Sequence, residues 1–283
     1  MWEVEKKDWE ILKELKLDEN PFRAVDEYSP LMSELRWELP EQQELYENYT
    51  KKRQVIENED VDNYYKQKVK PISKEKWEYL LARKAWYVMP LGWDNIALNG
   101  GKVIDVGTGD GDVVQRLIDY VNKFWKVKNI TNKKLHIIGL DLNSLRIENA
   151  NRLVTSPHKN ISFEFKQTDL NEKQKYEDHY FDYALSTSVI EIINDKYYKN
   201  FIKNLAKLVT KGIYIADIFE KFPGGFPRDK LSKDFLKLGF RTIKREIILS
   251  EPFDKNGFKN KIKIWPSILM QNLWFEKKSE FKI

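Results

Sequence analysis

The chain has 283 residues, 41% of them hydrophobic and 13% aromatic, enough for one large α/β domain with a substantial appendage. It holds no cysteine, which excludes disulfides, thiolate-ligated zinc and a cysteine nucleophile, and no run of roughly 18 apolar residues, which excludes a transmembrane helix. The net charge of +5 is unevenly spread, because residues 1–60 carry 9 Lys and Arg against 17 Asp and Glu and the remainder is correspondingly basic. Two readings of that asymmetry stay open: an acidic appendage docked on a basic domain, or a basic face for nucleic acid or another polyanion.

Residues 1–98 read as helical and irregular, with no strand alternation. The first segment alternates charged and apolar residues and lacks the apolar centre of a signal peptide, so the expected location is the cytoplasm. Val4, Trp9, Ile11, Leu12 and Leu15 fall at mostly helical spacing, and Pro21, Pro30 and Pro40 interrupt the chain after that segment. A second helix is expected over 41–56 and a third over 73–88, with Trp77, Leu80, Leu81 and Ala85 on one face. Tyr64, Tyr65, Trp77, Tyr79, Trp86, Tyr87 and Trp93 crowd the end of this region, as packing or as one wall of a pocket. The division expected is a helical cap over 1–98 and a ligand-binding domain over 99–283.

The stretch 102–112 reads KVIDVGTGDGD. A short β-branched run ends at Val106, glycines come at alternate positions 107, 109 and 111, and a helical pattern begins at Val113. Such a chain turns sharply from strand to helix, lets a ligand approach its backbone, and aims free helix N–H groups at it. The dinucleotide pattern G-x-G-x-x-G is incomplete, since Asp112 stands where its last glycine belongs.

Beyond this stretch, strands are expected over 135–140, 161–167, 181–185 and 213–216. Helices are expected from Ser144 to about 153, with Ser144 as N-cap, and over 197–209, with Gly212 as stop. A helix around 231–238 and strands around 242–249 and 268–275 complete a doubly wound, seven-stranded, mostly parallel sheet with helices on both faces, plus the N-terminal helical cap. The strand ends hold Asp105, Asp141, Asp169, Ser186 and Asp217, and ligands bind outside the carboxyl ends of such sheets. His136, His158 and His179 fall at the amino ends, away from that edge, and no pair has metal-ligand spacing.

The series Asp105-x-Gly107-x-Gly109-x-Gly111, then Asp141, then Asp169-Leu170 resembles the motifs of the class I S-adenosylmethionine-dependent methyltransferases over residues 102–217. The resemblance implies S-adenosyl-L-methionine as cofactor, held by Asp105, Gly107, Thr108, Gly109, Asp141, Leu142, Asp169, Leu170 and Ser186. Asp141 would take the ribose hydroxyls and Asp169-Leu170 would meet the adenine. The segment from Ser186 to Ile193 resembles the post-strand motif of small-molecule methyltransferases, but Ile192 stands where a histidine often comes after the acid. It also lacks the Asn/Asp-Pro-Pro-aromatic tetrapeptide of enzymes that methylate base or glutamine nitrogens. The expected acceptor is therefore a small-molecule oxygen or nitrogen, with Glu191 and Asp217 as candidate catalytic groups and Phe219, Phe222 and Phe226 as a candidate pocket wall. Against it stands a macromolecule-modifying or nonenzymatic cofactor-binding protein that uses the basic face.

Overall fold

The computed structural model describes residues 71–75, 77–78, 81, 88, 90–169, 176–190, 193, 195–218, 228–249 and 269–278. In chain order the elements are α1 (Trp93–Asn99), β1 (Gly101–Val106), α2 (Asp112–Lys128), β2 (Leu135–Asp141), α3 (Ser144–Leu153), β3 (Ile161–Gln167), β4 (Phe181–Thr187), α4 (Asp195–Leu208), β5 (Val209–Ile218), α5 (Arg228–Lys237), β6 (Phe240–Leu249) and β7 (Leu269–Lys277). The seven strands form one sheet in the order β3-β2-β1-β4-β5-β7-β6. β1 to β5 run parallel, and β7 lies antiparallel between β5 and β6.

Two apolar layers sandwich this sheet, as the unbroken hydrophobic runs of buried parallel strands require. On one face Val103, Ile137, Leu185 and Tyr214 pack against α1, α2 and α3 through Trp93, Val114, Leu117, Val121 and Ala150, joined by Trp77, Val88 and Leu91. On the other, Ile104, Ile138, Ala184 and Ile215 pack against Phe201 and Leu205 of α4 and Leu231 and Phe235 of α5. Trp125 closes the first layer, donating its indole N–H to the Ala97 carbonyl at 2.6 Å.

The expected sheet stands, with local corrections, while the cap expected over 1–98, including the helix over 41–56 and most of that over 73–88, lies largely outside the described residues. Val209 opens β5 instead of closing α4, and Gly212 is no helix stop but sits within the strand, paired to Tyr183 and Glu276. Its lack of a side chain admits the Trp274 ring, which would lie 2.5 Å from an added Cβ. Asn143, not Ser144, caps α3, its Oδ1 accepting from the Arg146 N–H at 3.0 Å. β5 also runs on to Ile218 because β7 pairs with it there, so Asp217 lies inside a paired strand. The short helix α1 comes at the end of the stretch that reads as helical and irregular, and runs one residue past it to Asn99.

Because the Trp274 ring fills the space over Gly212, Gly212→Val should lower the unfolding free energy by about 1–3 kcal/mol, as overpacked cores do. Denaturant titration checks this, and a wild-type midpoint would contradict it.

Candidate functional site

The strand order reverses between β1 and β4: from β1 the chain moves outward to β2 and β3, then returns to β4 on the other side. At such a switch point the loops after neighbouring strands part and leave a crevice at the carboxyl edge. The glycine loop opens there. Gly107, Gly109 and Gly111 all have left-handed backbones, with φ of 71°, 57° and 83°. An added Cβ at Gly107 would lie 2.2 Å from Val189 Cγ2, and one at Gly109 would lie 2.8 Å from an Arg146 guanidinium nitrogen. Gly111 caps α2 and lies against Val154 and Ala150 of the α3 end. Gly107 and Gly111 therefore need glycine for conformation and for space, and Gly109 for conformation.

The loop is fastened to β2 at several points. The N–H groups of Gly107 and Thr108 both donate to the Leu140 carbonyl, at 2.8 and 2.9 Å. Gly109 N–H donates to Asp141 Oδ2 at 2.8 Å, while Asp141 Oδ1 accepts from Asn143 N–H at 2.9 Å. Gly139 makes room for the Thr108 hydroxyl, which would lie 2.7 Å from a Cβ there. The end of β3 joins this corner, because Thr168 N–H donates to the Asp141 carbonyl and Gln167 Nε2 to the Leu142 carbonyl. Asp169 comes directly after and is partly exposed.

After β4 the chain turns through Ser188, a non-glycine residue at φ 56°, whose N–H donates to the Ala216 carbonyl at 2.8 Å. A left-handed serine costs on the order of 1 kcal/mol, and here the turn lays Val189 over Gly107. Asp105, 1% exposed, lies one residue inside β1 between Gly139 and Leu185. Alternation puts it on the α2 face with Val103, whereas Asp217, also 1% exposed, shares the opposite face with Ile215.

The structure thus brings Gly107, Thr108, Gly109, Asp141, Leu142 and Asp169 into one corner, with Asp105 and Ser186 at the ends of the adjoining strands. Leu170, Glu191, Phe219, Phe222 and Phe226 lie outside the described residues. The three histidines are at the opposite end: His136 is the second residue of β2, and His158 and His179 precede β3 and β4. Asn143 and Gly139 belong to the corner although neither stands out in the sequence pattern. The Asn at the start of a helical pattern is a readable cap signal; the role of Gly139 needs the position of Thr108.

Whether this corner suits a nucleoside with an amino-acid tail can be judged from its polar atoms. Thr108 Oγ1, Asn143 Nδ2, Ser186 Oγ and Thr187 Oγ1 are buried without a hydrogen-bond partner in the protein. Each such group costs about 1–3 kcal/mol unless a ligand or water satisfies it. The Asp141 carboxylate, with one N–H on each oxygen, keeps lone pairs for further donors such as vicinal hydroxyls. Hydroxyl and amide groups without partners, a carboxylate with lone pairs to spare and a glycine loop at the carboxyl edge are groups that S-adenosylmethionine can use, and the residues fit it.

Residues 98–247 match a family described as "Methyltransferase domain". Among solved structures, the chain is similar to magnesium protoporphyrin IX methyltransferase from Synechocystis with bound SAH, at 13% identity over 72% of this chain and 83% of that one, with a TM-score of 0.47. It is similar to a SAM-dependent methyltransferase from Methanosarcina mazei at 14% identity, 68% and 99% coverage and a TM-score of 0.48. A TehB-like SAM-dependent methyltransferase from Corynebacterium glutamicum aligns at 18% identity, 72% and 95% coverage and a TM-score of 0.47. A search of curated proteins by sequence gives no match. Among the described residues no helix is long and apolar enough to cross a membrane.

Since Val189 occupies the space where Gly107 lacks a side chain, the two should be energetically coupled. Gly107→Ala alone should destabilise the fold, and Val189→Ala should recover at least about 0.5 kcal/mol of that loss in a double-mutant cycle. Strictly additive unfolding energies would show that the two do not meet.

Proposed function

The chain belongs to the class I S-adenosylmethionine-dependent methyltransferases, and on that premise we propose that it transfers a methyl group to an oxygen or nitrogen of a small-molecule acceptor. The observation that carries the reading of the cofactor site is the Asp141 carboxylate, clamped by Gly109 and Asn143 at the edge of the glycine loop. We assign the ribose hydroxyls to Asp141, the loop of Gly107, Thr108 and Gly109 to the tail and ribose, and Asp169 with Leu170 to the adenine. Asp105 and Ser186 flank that loop at the ends of β1 and β4. When bound, the cofactor supplies a methyl group already activated on a sulfonium sulfur.

The residues around the acceptor then have little covalent work. They hold a nucleophile in line and keep water out. Support for a small acceptor comes from the turn after β4. Ser186 and Thr187 offer two buried hydroxyls without partners, and the left-handed Ser188 brings Val189 back over the glycine loop. Such hydroxyls can serve the polar atoms of a small ligand, and the turn from Ser186 to Ile190 holds no Lys or Arg that would favour a polyanion. Asp217, on the face shared with Ile215, is the described carboxylate that we assign to orient the acceptor or take its proton, with Glu191 as its counterpart in the sequence. Transfer to RNA is the competing reading, favoured by the positive charge outside residues 1–60. Strongly salt-dependent association with RNA, together with transfer of labelled methyl to RNA and to no small molecule, would establish it instead.

Two outcomes check the assignment. Asp141→Ala should weaken S-adenosylmethionine binding by more than ~1.5 kcal/mol, the scale of a lost charge-assisted hydrogen bond, and calorimetry with unchanged affinity would refute the ribose role. Replacing His136, His158 and His179 together by Gln should leave turnover within about 10-fold, because all three lie at the amino ends of the strands. A larger fall with fold and cofactor affinity intact would place a histidine in the chemistry.

A further inference from the structure

The outer surface of α4 and α5 is dominated by one charge. Lys199, Lys203 and Lys207 of α4 are exposed at intervals of four, within about 80° of helical arc, and Lys230, Lys233 and Lys237 of α5 are exposed within about 60°. The inner sides of both helices pack on the sheet through Phe201, Leu205, Leu231 and Phe235. The two rows are neighbours, because Tyr198 donates its hydroxyl to Asp234 Oδ2 at 3.1 Å and Lys230 Nζ stands 4.5 Å from the centre of the Tyr198 ring.

These rows do little for their own helices. Lysines four apart repel each other, and Lys230 lies in the first turn of α5, where the macrodipole is already positive. Lys207 and Lys237 suit the dipole, being in the last turns. Counter-charge is thin: Lys207 meets Asp178 at 3.5 Å and Lys237 meets Asp234 at 3.4 Å, exposed pairs of small net value, and Tyr198 shares Asp234. Lys199, Lys203 and Lys233 have no carboxylate partner among the described residues. On the other face of the sheet, the exposed Lys123, Lys126 and Lys128 gather at the end of α2, where a helix dipole favours cations.

We propose that the α4–α5 face docks a nucleic-acid backbone, whose phosphates supply the counter-charge that the two helices lack. The rows suit a linear polyanion, since Lys199 to Lys207 covers about 12 Å of helix rise. Asn200, exposed beside them, offers an amide to phosphate or sugar oxygens. Tyr197 and Leu236, the large apolar residues exposed on these helices among those described, give too little apolar surface for entry into a membrane. The glycine loop packs against α2 and α3 on the opposite face, so docking is separate from cofactor binding. It also stands beside the small-molecule reading of the acceptor without depending on it.

Fluorescence anisotropy of labelled oligo(U) with the full chain, over a range of salt, tests this in wild type, K199Q/K203Q/K207Q, K233Q/K237Q and the other-face control K123Q/K126Q/K128Q. Each protein is also melted and titrated with S-adenosylhomocysteine. Wild type should bind oligo(U), more weakly as salt rises. The α4 variant should bind at least about tenfold more weakly at low salt, and its slope of log affinity against log salt should shrink by about 2, as for three lost phosphate contacts on a single strand. The α5 variant should lose about 1 from that slope, while the α2 control stays within about threefold of wild type. All should keep the wild-type affinity for S-adenosylhomocysteine. Wild type that does not bind oligo(U) overturns the proposal, as do unchanged binding in the α4 and α5 variants or an equal loss in the α2 control. Binding to phosphatidylserine vesicles but not to oligo(U), abolished by the α4 and α5 substitutions, would make the partner a membrane and overturns it too. Should the α4 variant lose its cooperative melt, K233Q/K237Q decides. The cofactor reading is reported separately, by the affinity of wild type for S-adenosylhomocysteine.

Discussion

The site depends on one carboxylate held by two backbone N–H groups. Asp141 accepts from Gly109 across the crevice and from Asn143 at the start of α3, so a single side chain fastens the glycine loop to the end of β2. Its own carbonyl meanwhile receives Thr168, which brings in the end of β3. Three strand ends thus share one residue. Hydrogen bonds to an ionised acceptor are roughly twice as strong as neutral ones. Removing this carboxylate would therefore loosen the loop geometry as well as the ligand contact we propose for it.

The two ends of the sheet treat their polar groups differently. At the amino end they are paired: Asp182 accepts from Lys102 N–H at 2.9 Å and meets Lys211 Nζ at 2.8 Å, and Glu276 accepts from Trp274 Nε1 at 3.0 Å and from Asn95 Nδ2 at 3.3 Å. Tyr183 hydroxyl accepts from Asn99 Nδ2 at 3.1 Å. At the carboxyl end Thr108, Asn143, Ser186 and Thr187 keep buried polar atoms without partners. Native interiors satisfy most such groups, and among the described residues Trp93 Nε1 is the exception away from this edge, so the cluster at the carboxyl end supports the proposed ligand site.

Much of this is legible in the chain. Glycines at alternate positions after a β-branched run have few other uses, and each has a left-handed backbone here. Continuous apolar runs mark the buried strands, and β3 and α3 fall at their expected bounds. Misreadings come where local and tertiary signals conflict. Gly212 looks like a helix stop, but it is glycine because Trp274, sixty-two residues later in sequence, needs its space. Asp217 looks like a strand end, but β7 extends the pairing past it. Helix α1 is only seven residues long, too short for periodicity to reveal. The placement of Glu191, Leu170 and the three phenylalanines after β5 concerns residues outside those described.

The central claim is that the corner of Gly107–Gly109 and Asp141 receives the nucleoside of the cofactor. A crystal structure of the full chain with S-adenosylhomocysteine tests it most directly. The account predicts both ribose hydroxyls on the Asp141 carboxylate, within hydrogen-bond distance, and the tail against the glycine loop. A nucleoside bound elsewhere, or a ribose that leaves Asp141 untouched while Gly109 still holds it, would contradict the account.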